Sequence, residues 1–192
     1  YFFYGFIFLT LHFKNLIMPI ILNIETATKN CSVALAKEGK TIACKEIAEQ
    51  NFSHAEKLHV FIEELLAENQ LQFSDLSAIA VSQGPGSYTG LRIGVSSAKG
   101  FCYALNIPMI AIDTLQLLAK QIHIEEGIII PMIDARRMEV FTAFYDKNHN
   151  QIRNTQAEII DETSYQEISD KIHLVGDGTE KFKNTLTDDK FV

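Results

Sequence analysis

The stretch Ile79–Leu105, IAVSQGPGSYTGLRIGVSSAKGFCYAL, decides how this chain folds. Its apolar opening, Ile79, Ala80 and Val81, reads as a buried strand. Gly84-Pro85-Gly86 then reads as a turn whose glycines can take backbone angles that other residues avoid. Thr89 is the expected N-cap of the helix that follows. From there Leu91, Val95, Ala98, Cys102 and Leu105 recur at steps of four and three, the apolar stripe of an amphipathic helix. The other face carries Gly90, Gly94, Ser97 and Gly100. Glycine inside a helix costs roughly 0.5–1 kcal/mol relative to alanine, so this row of small residues implies that a phosphate or another helix comes close to the backbone.

A phosphate site is a natural expectation at a helix N-terminus, yet the sequence departs from the usual signatures. A Walker A loop needs Lys and then Ser or Thr after its last glycine, and Leu91 and Arg92 follow Gly90 here. Gly84, Gly86 and Gly90 form G-x-G-x-x-x-G with Asp113 downstream, which is one residue longer than the dinucleotide fingerprint, and Tyr88 puts bulk where a pyrophosphate would rest. A dinucleotide- or nucleotide-binding enzyme using the Gly84–Gly90 loop, and a tight turn feeding a closely packed helix, both remain open on these residues.

The 192 residues have room for one ordinary domain or two small ones, and at 47% hydrophobic and 21% charged the composition is that of a globular protein. A net charge of −7 argues against a surface built mainly to grip nucleic acid. Cys31, Cys44 and Cys102 lie in apolar segments without C-x-x-C spacing and read as buried thiols of a reducing cytosol. Residues 1–17, YFFYGFIFLTLHFKNLI, hold seven of the 19 Phe and Tyr. His12 and Lys14 interrupt them, which argues against a membrane span, and they have neither the basic start nor the cleavage site of a signal peptide. They read as sequence upstream of a start at Met18, with a cryptic membrane anchor as the competing reading.

Outward from the central stretch, Pro19 to Glu25 is an expected strand ending in an acid. Short turns link it to strands over Cys31–Lys37 and Thr41–Ala48, which implies antiparallel neighbours. Ser53 can cap a helix starting at His54, with Glu56 completing a capping box. Leu58, Phe61, Ile62, Leu65 and Leu66 form its apolar face. A strand over Pro108–Asp113, a helix from Thr114 to about Ile124 and a strand over Ile128–Asp134 come next. The order βββαβαβα is that of a ribonuclease H-like unit, and a second copy starts at Ile128. There Asp134 takes the place of Glu25, and a short helix near Thr163–Ser169 leads to a strand over Ile172–Val175 and the glycine turn Gly176-Asp177-Gly178, where the copy is cut short. The expected fold is therefore α/β, an actin-like ATPase architecture from a duplicated unit with the second copy incomplete. Its divisions are 1–17, 18–124 and 125–192, with any nucleotide in the cleft between the units.

MPIILNIETATKNCSVAL, GPGSYTGLRIGVSSAKG and IDARRMEVF resemble the bacterial TsaB family, also called YeaZ, over nearly all of Met18–Val192. The resemblance implies a non-catalytic, cytoplasmic subunit in making threonylcarbamoyladenosine beside the tRNA anticodon. Its implied partners are the related catalytic subunit TsaD, in a heterodimer, and the ATPase TsaE, with a homodimer when TsaD is absent and tRNA met only through the complex. It implies no membrane and no cofactor required by this subunit, with room for ATP or ADP at a complex interface. Glu25 and Thr26 match the first phosphate-loop position, where Asp is more usual, and with Gly84, Gly86, Gly176 and Gly178 they are the nucleotide candidates. Leu58, Phe61, Ile62, Leu65, Gly90, Gly94 and Ser97 are the expected partner interface.

No residue is expected to be catalytic or to bind metal. The catalytic relative carries an H-x-x-x-H pair just after the strand that follows the glycine helix, and the matching stretch here, Ile112 to Leu117, has no histidine. His54 and His59 are five apart, about 140° around a helix, and cannot share a metal. Asp134, Arg136 and Arg137 match the family's D-A-R segment, in which arginine can meet phosphate or RNA, or simply brace a hairpin.

Overall fold

A computed structural model describes residues 18–48 and 54–192. Strand β1 (Ile20–Glu25) pairs antiparallel with β2 (Asn30–Lys37), placing Ile24 opposite Val33, and β2 pairs with β3 (Lys40–Ala48). On the other side of β1, β4 (Leu76–Ser82) joins in parallel with Val81 beside Ile24, and β5 (Met109–Ile112) follows in parallel, so the order is β3-β2-β1-β4-β5. The alternation of Cys31, Val33 and Leu35 points one face of β2 into the core, where these residues are at most 1% exposed. Helix α1 (His54–Glu68) and helix α2 (Tyr88–Leu105) cover that face through Leu58, Ile62, Leu65 and Ala98.

The second sheet repeats the plan. Strand β6 (Ile128–Asp134) pairs antiparallel with β7 (Glu139–Asp146), β7 with β8 (Gln151–Ile159), and β9 (Ile172–Val175) lies parallel to β6, in the order β8-β7-β6-β9. Beyond β9, the backbone of Ile172 bonds Lys190 and Val192, so residues 190–192 hold the position that β5 holds in the first sheet. Two sheets built on one strand plan, the first with both its helices, form the actin-like ATPase, ribonuclease H-like architecture expected from the sequence.

Three local expectations change. The helix after β5, α3, spans only Thr114–Ala119, and it leaves the first sheet to pack on the second, where Leu115 and Ala119 join Ile129, Ile133, Ala143 and Tyr145 in one core. The segment near Thr163–Ser169 makes turns instead of a helix. Asp161 accepts hydrogen bonds from the backbone and hydroxyl of Thr163 and from the hydroxyl of Ser164, and so competes with helical bonding. Cys44 is exposed, because it faces away from the helices on the outermost strand, while Cys31 is buried and Cys102 half-buried. Ser53 and residues 1–17 lie outside the described residues.

Candidate functional site

The turn after β1 is closed by the glycine turn after β4. The Glu25 carboxylate accepts from the backbone of Ala27 at 2.6 Å and from the buried hydroxyl of Ser82 at 2.9 Å. Thr26 is fully buried, and its hydroxyl donates to the carbonyl of Gly90 at 2.8 Å. Ser87 donates its backbone N–H to Ala27 at 2.6 Å. Ser87, not Thr89, is the N-cap of α2, since its hydroxyl accepts from the Gly90 N–H at 3.3 Å. Gly86, at φ 156°, sits where any side chain would overlap the Ala27 carbonyl.

The second sheet has a matching closure. Gly176, at φ 113°, lies against the Met132 carbonyl, and Gly178 donates its N–H to that carbonyl at 3.0 Å. Between them, Asp177 accepts from the Asp134 backbone at 3.1 Å. The Asp134 carboxylate is bound by Lys181 and by the Arg136 N–H, and Lys181 also donates to the Arg137 carbonyl at 2.7 Å. Partial burial pushes the Asp134 carboxyl up, but the Lys181 ammonium, the Arg136 N–H and the charge of Lys29 together hold it below the ordinary aspartate range.

The nucleotide candidates are therefore placed in two groups. Glu25, Thr26, Gly84 and Gly86 gather at the end of the first sheet, and Gly176 and Gly178 at the end of the second. Their expected use needs correcting at Thr26, Gly86, Gly176 and Gly178. The hydroxyl of Thr26 is spent on Gly90, the close approach that Gly86 and Gly176 permit is to the chain's own carbonyls, and Gly178 sits against Val140 and Met132. Asp113, the acid of the near-fingerprint, caps α3 by accepting from Gln116 at 3.0 Å.

The interface expectation also needs correcting. Gly90, Gly94 and Ala98 form the buried row of α2, and a side-chain carbon on Gly94 would overlap the hydroxyl of Thr26. The small face is the inward face, flanked by Val95, Cys102 and Leu105 on one side and Ile93 and Phe101 on the other. Leu58, Ile62 and Leu65 are likewise buried in the chain's own core, at 1% exposure or less. Of the seven residues, Phe61 and Ser97 alone are half-exposed, and Ser97 meets His59 of α1 at 3.3 Å. The outward surface of the helix pair is instead made by Val60, Tyr88, Arg92, Lys99 and Tyr103, with Tyr103 92% exposed and Arg92 stacked over the Tyr88 ring.

After β5 this chain places the Asp113 cap and the core-packed Leu115 and Leu118. Among the described residues no three His, Cys, Asp or Glu side chains come together as a metal set, and no helix is long and apolar enough to cross a membrane. Sequence reasoning missed Ser82 under Glu25 and Lys181 on Asp134. Each pair is separated by tens of residues and joined only by the sheet order, so no local spacing announces them.

Comparison with known proteins adds an independent observation. The family model described as TsaD, tRNA N6-adenosine threonylcarbamoyltransferase, matches residues 43–187. The protein called tRNA threonylcarbamoyladenosine biosynthesis protein TsaB in Escherichia coli is 35% identical over 134 residues, covering 69% of this chain and 57% of that protein. Its Bacillus subtilis counterpart is 38% identical over 125 residues, covering 65% and 54%. The chain thus spans a little over half the length of these relatives. The solved structure of YeaZ from Pseudomonas aeruginosa superposes with a TM-score of 0.73 at 26% identity, covering 89% of this chain and 82% of that one.

Proposed function

Because the chain belongs to the TsaB (YeaZ) family, we propose that it is a cytoplasmic, non-catalytic subunit in the formation of threonylcarbamoyladenosine in tRNA. In this reading it binds and supports a TsaD-type catalytic subunit, works with a TsaE-type ATPase, and meets tRNA within that complex. It pairs with a second copy of itself when TsaD is absent. No cofactor is required by this subunit, and ATP or ADP at the complex interface remains part of the proposal. The observation that carries it is the start of α3. Asp113 is engaged as a cap and Leu115 is fully buried, so the place where the catalytic relative presents metal ligands is taken up by helix capping and core packing.

The partner surface in this reading is the outward side of α1 and α2. Glu56, Glu63 and Glu64 are exposed on α1, whereas α2 carries Arg92 and Lys99 and no acid at all. A partner with the same helix pair, antiparallel to this one, would set acid against base along the contact and cover Val60 and Tyr103. The test is co-purification with TsaD, followed by a tRNA modification assay with and without this chain. Product formed at full rate without the chain defeats the proposal.

A further inference from the structure

The turn from β6 to β7 has an unusual backbone. Arg136 and Arg137 both have positive φ, at 74° and 51°, a conformation that residues with side chains seldom adopt and that in hairpins is normally given to Asn and Gly. Such outliers persist where the surroundings hold them and where the exposed side chains are of use. Here the support is explicit. The Arg136 N–H bonds Asp134, the Arg137 carbonyl accepts from Lys181, and the hairpin is closed by the Ala135 N–H donating to the Glu139 carbonyl and the Glu139 N–H donating to the Arg136 carbonyl, each at 3.1 Å. What the brace presents is two adjacent guanidinium groups. Both arginines are exposed, and among the described residues neither side chain makes an ion pair or hydrogen bond.

Lys181 answers the charge of Asp134, so that carboxylate does not neutralise the arginines. Of the neighbouring acids, Asp177 accepts from the Asp134 backbone and Glu139 is half-buried at the start of β7. In a chain of net charge −7, two adjacent exposed arginines with no ion pair among the described residues are a local exception.

We infer that Arg136 and Arg137 form a contact for the phosphodiester backbone of RNA. Guanidinium groups match phosphate oxygens two at a time, and contacts of this kind position a nucleic acid without reading its sequence. The inference rests on the proposed role in tRNA modification for its choice of RNA, and it adds a direct contact where the family resemblance implies one only through the complex.

Binding of the full chain to an unmodified tRNA transcript, and to an unrelated RNA hairpin, followed by fluorescence anisotropy across a salt series, tests it. R136A/R137A should weaken both at low salt by about tenfold or more, and should flatten the dependence of log affinity on log salt by about one for each cation removed. K147A, at an exposed lysine elsewhere, should change nothing. R136G/R137G relieves the left-handed strain, so its melting temperature should equal or exceed the parent's while RNA binding falls, which separates binding from folding. Unchanged affinity and salt slope in R136A/R137A, or no salt-dependent binding by the parent chain at low salt, overturns the inference. So does displacement of the RNA by ATP, which marks a small-phosphate site, or loss of TsaD binding with RNA binding intact, which marks a protein contact. A chain that binds RNA through these residues yet is dispensable for tRNA modification would instead overturn the proposed function and leave this contact standing.

Discussion

The hydroxyl of Thr26 donates to the carbonyl of Gly90 across 2.8 Å, fastening the turn after β1 to the first turn of α2. The bond is buried, and it is a second hydrogen bond to a carbonyl that already lies within the hydrogen-bonded ladder of α2. Thr26→Val keeps the shape and removes the donor. It should cost about 0.5–1.5 kcal/mol, measured by chemical denaturation, while Thr26→Ser should recover most of that loss. A Val variant as stable as the parent would show that the bond contributes nothing net.

Gly94 meets the same threonine one turn further along α2. Gly94→Leu forces a branched side chain into a position already filled by Thr26, and should destabilise the chain by about 1–3 kcal/mol or more, or prevent folding. Gly94→Ala tests the same contact more gently, since the gain in helix propensity, about 1 kcal/mol, opposes the overlap. Gly100, with nothing within 4 Å of its missing side chain, is the control, and Gly100→Ala should raise the melting temperature. A Gly94→Leu variant that melts with the parent would mean that α2 is rotated away from Thr26.

On the outward side of the helix pair, Tyr103→Ala and Val60→Glu alter side chains that are 92% and 45% exposed. Both should leave the melting temperature within about 0.5 kcal/mol equivalent of the parent, as surface substitutions do. Tyr103→Ala should weaken association with the TsaD-type partner by about 1–2 kcal/mol, the range of a contact residue close to a hot spot. Calorimetric titration of the partner into each variant reads this, and unchanged affinity in both places the interface elsewhere.

Asp134 gives the stability a pH dependence. Its carboxyl titrates below the ordinary aspartate value of 3.8 in the folded chain, so folding favours the ionised form. The contribution is complete above the ordinary value and is lost as pH falls through the folded-state value. Acid denaturation of K181M should therefore begin at higher pH than that of the parent, with the two curves converging once Asp134 is protonated in both. The pair is partly solvated, so the separation should be small. Curves that coincide at every pH would show that Lys181 does not act on this carboxylate.

Much of the architecture is legible in the residues themselves. The alternation of Cys31, Val33 and Leu35 announces a half-buried strand, the short polar turns announce antiparallel neighbours, and Glu25 and Asp134 mark equivalent strand ends. The rotation of α2 is not legible in the same way. A hydrophobic count ranks Leu91, Val95, Cys102 and Leu105 above a row of glycines, but the helix lies on the turn of Thr26, where only Gly90 and Gly94 are thin enough to fit. That constraint comes from a residue more than sixty positions away. The site suffers from the same gap, since Ser82 reaches Glu25, and Lys181 reaches Asp134, only after the strands have taken their order.

The packing of α3 on the second sheet bears on how the chain can be cut. Leu115 and Ala119 follow the last strand of one sheet in sequence but are sealed among Ile129, Ile133 and Tyr145 of the other, and the Thr114 N–H is still tied to the Gly84 carbonyl at 2.9 Å. Cleavage just beyond residue 124 would separate this helix from the surface that hides its leucines and would leave each fragment with a sticky scar. The two sheets are therefore interlocked through one short helix, and the repeat in the architecture does not make the halves independent modules.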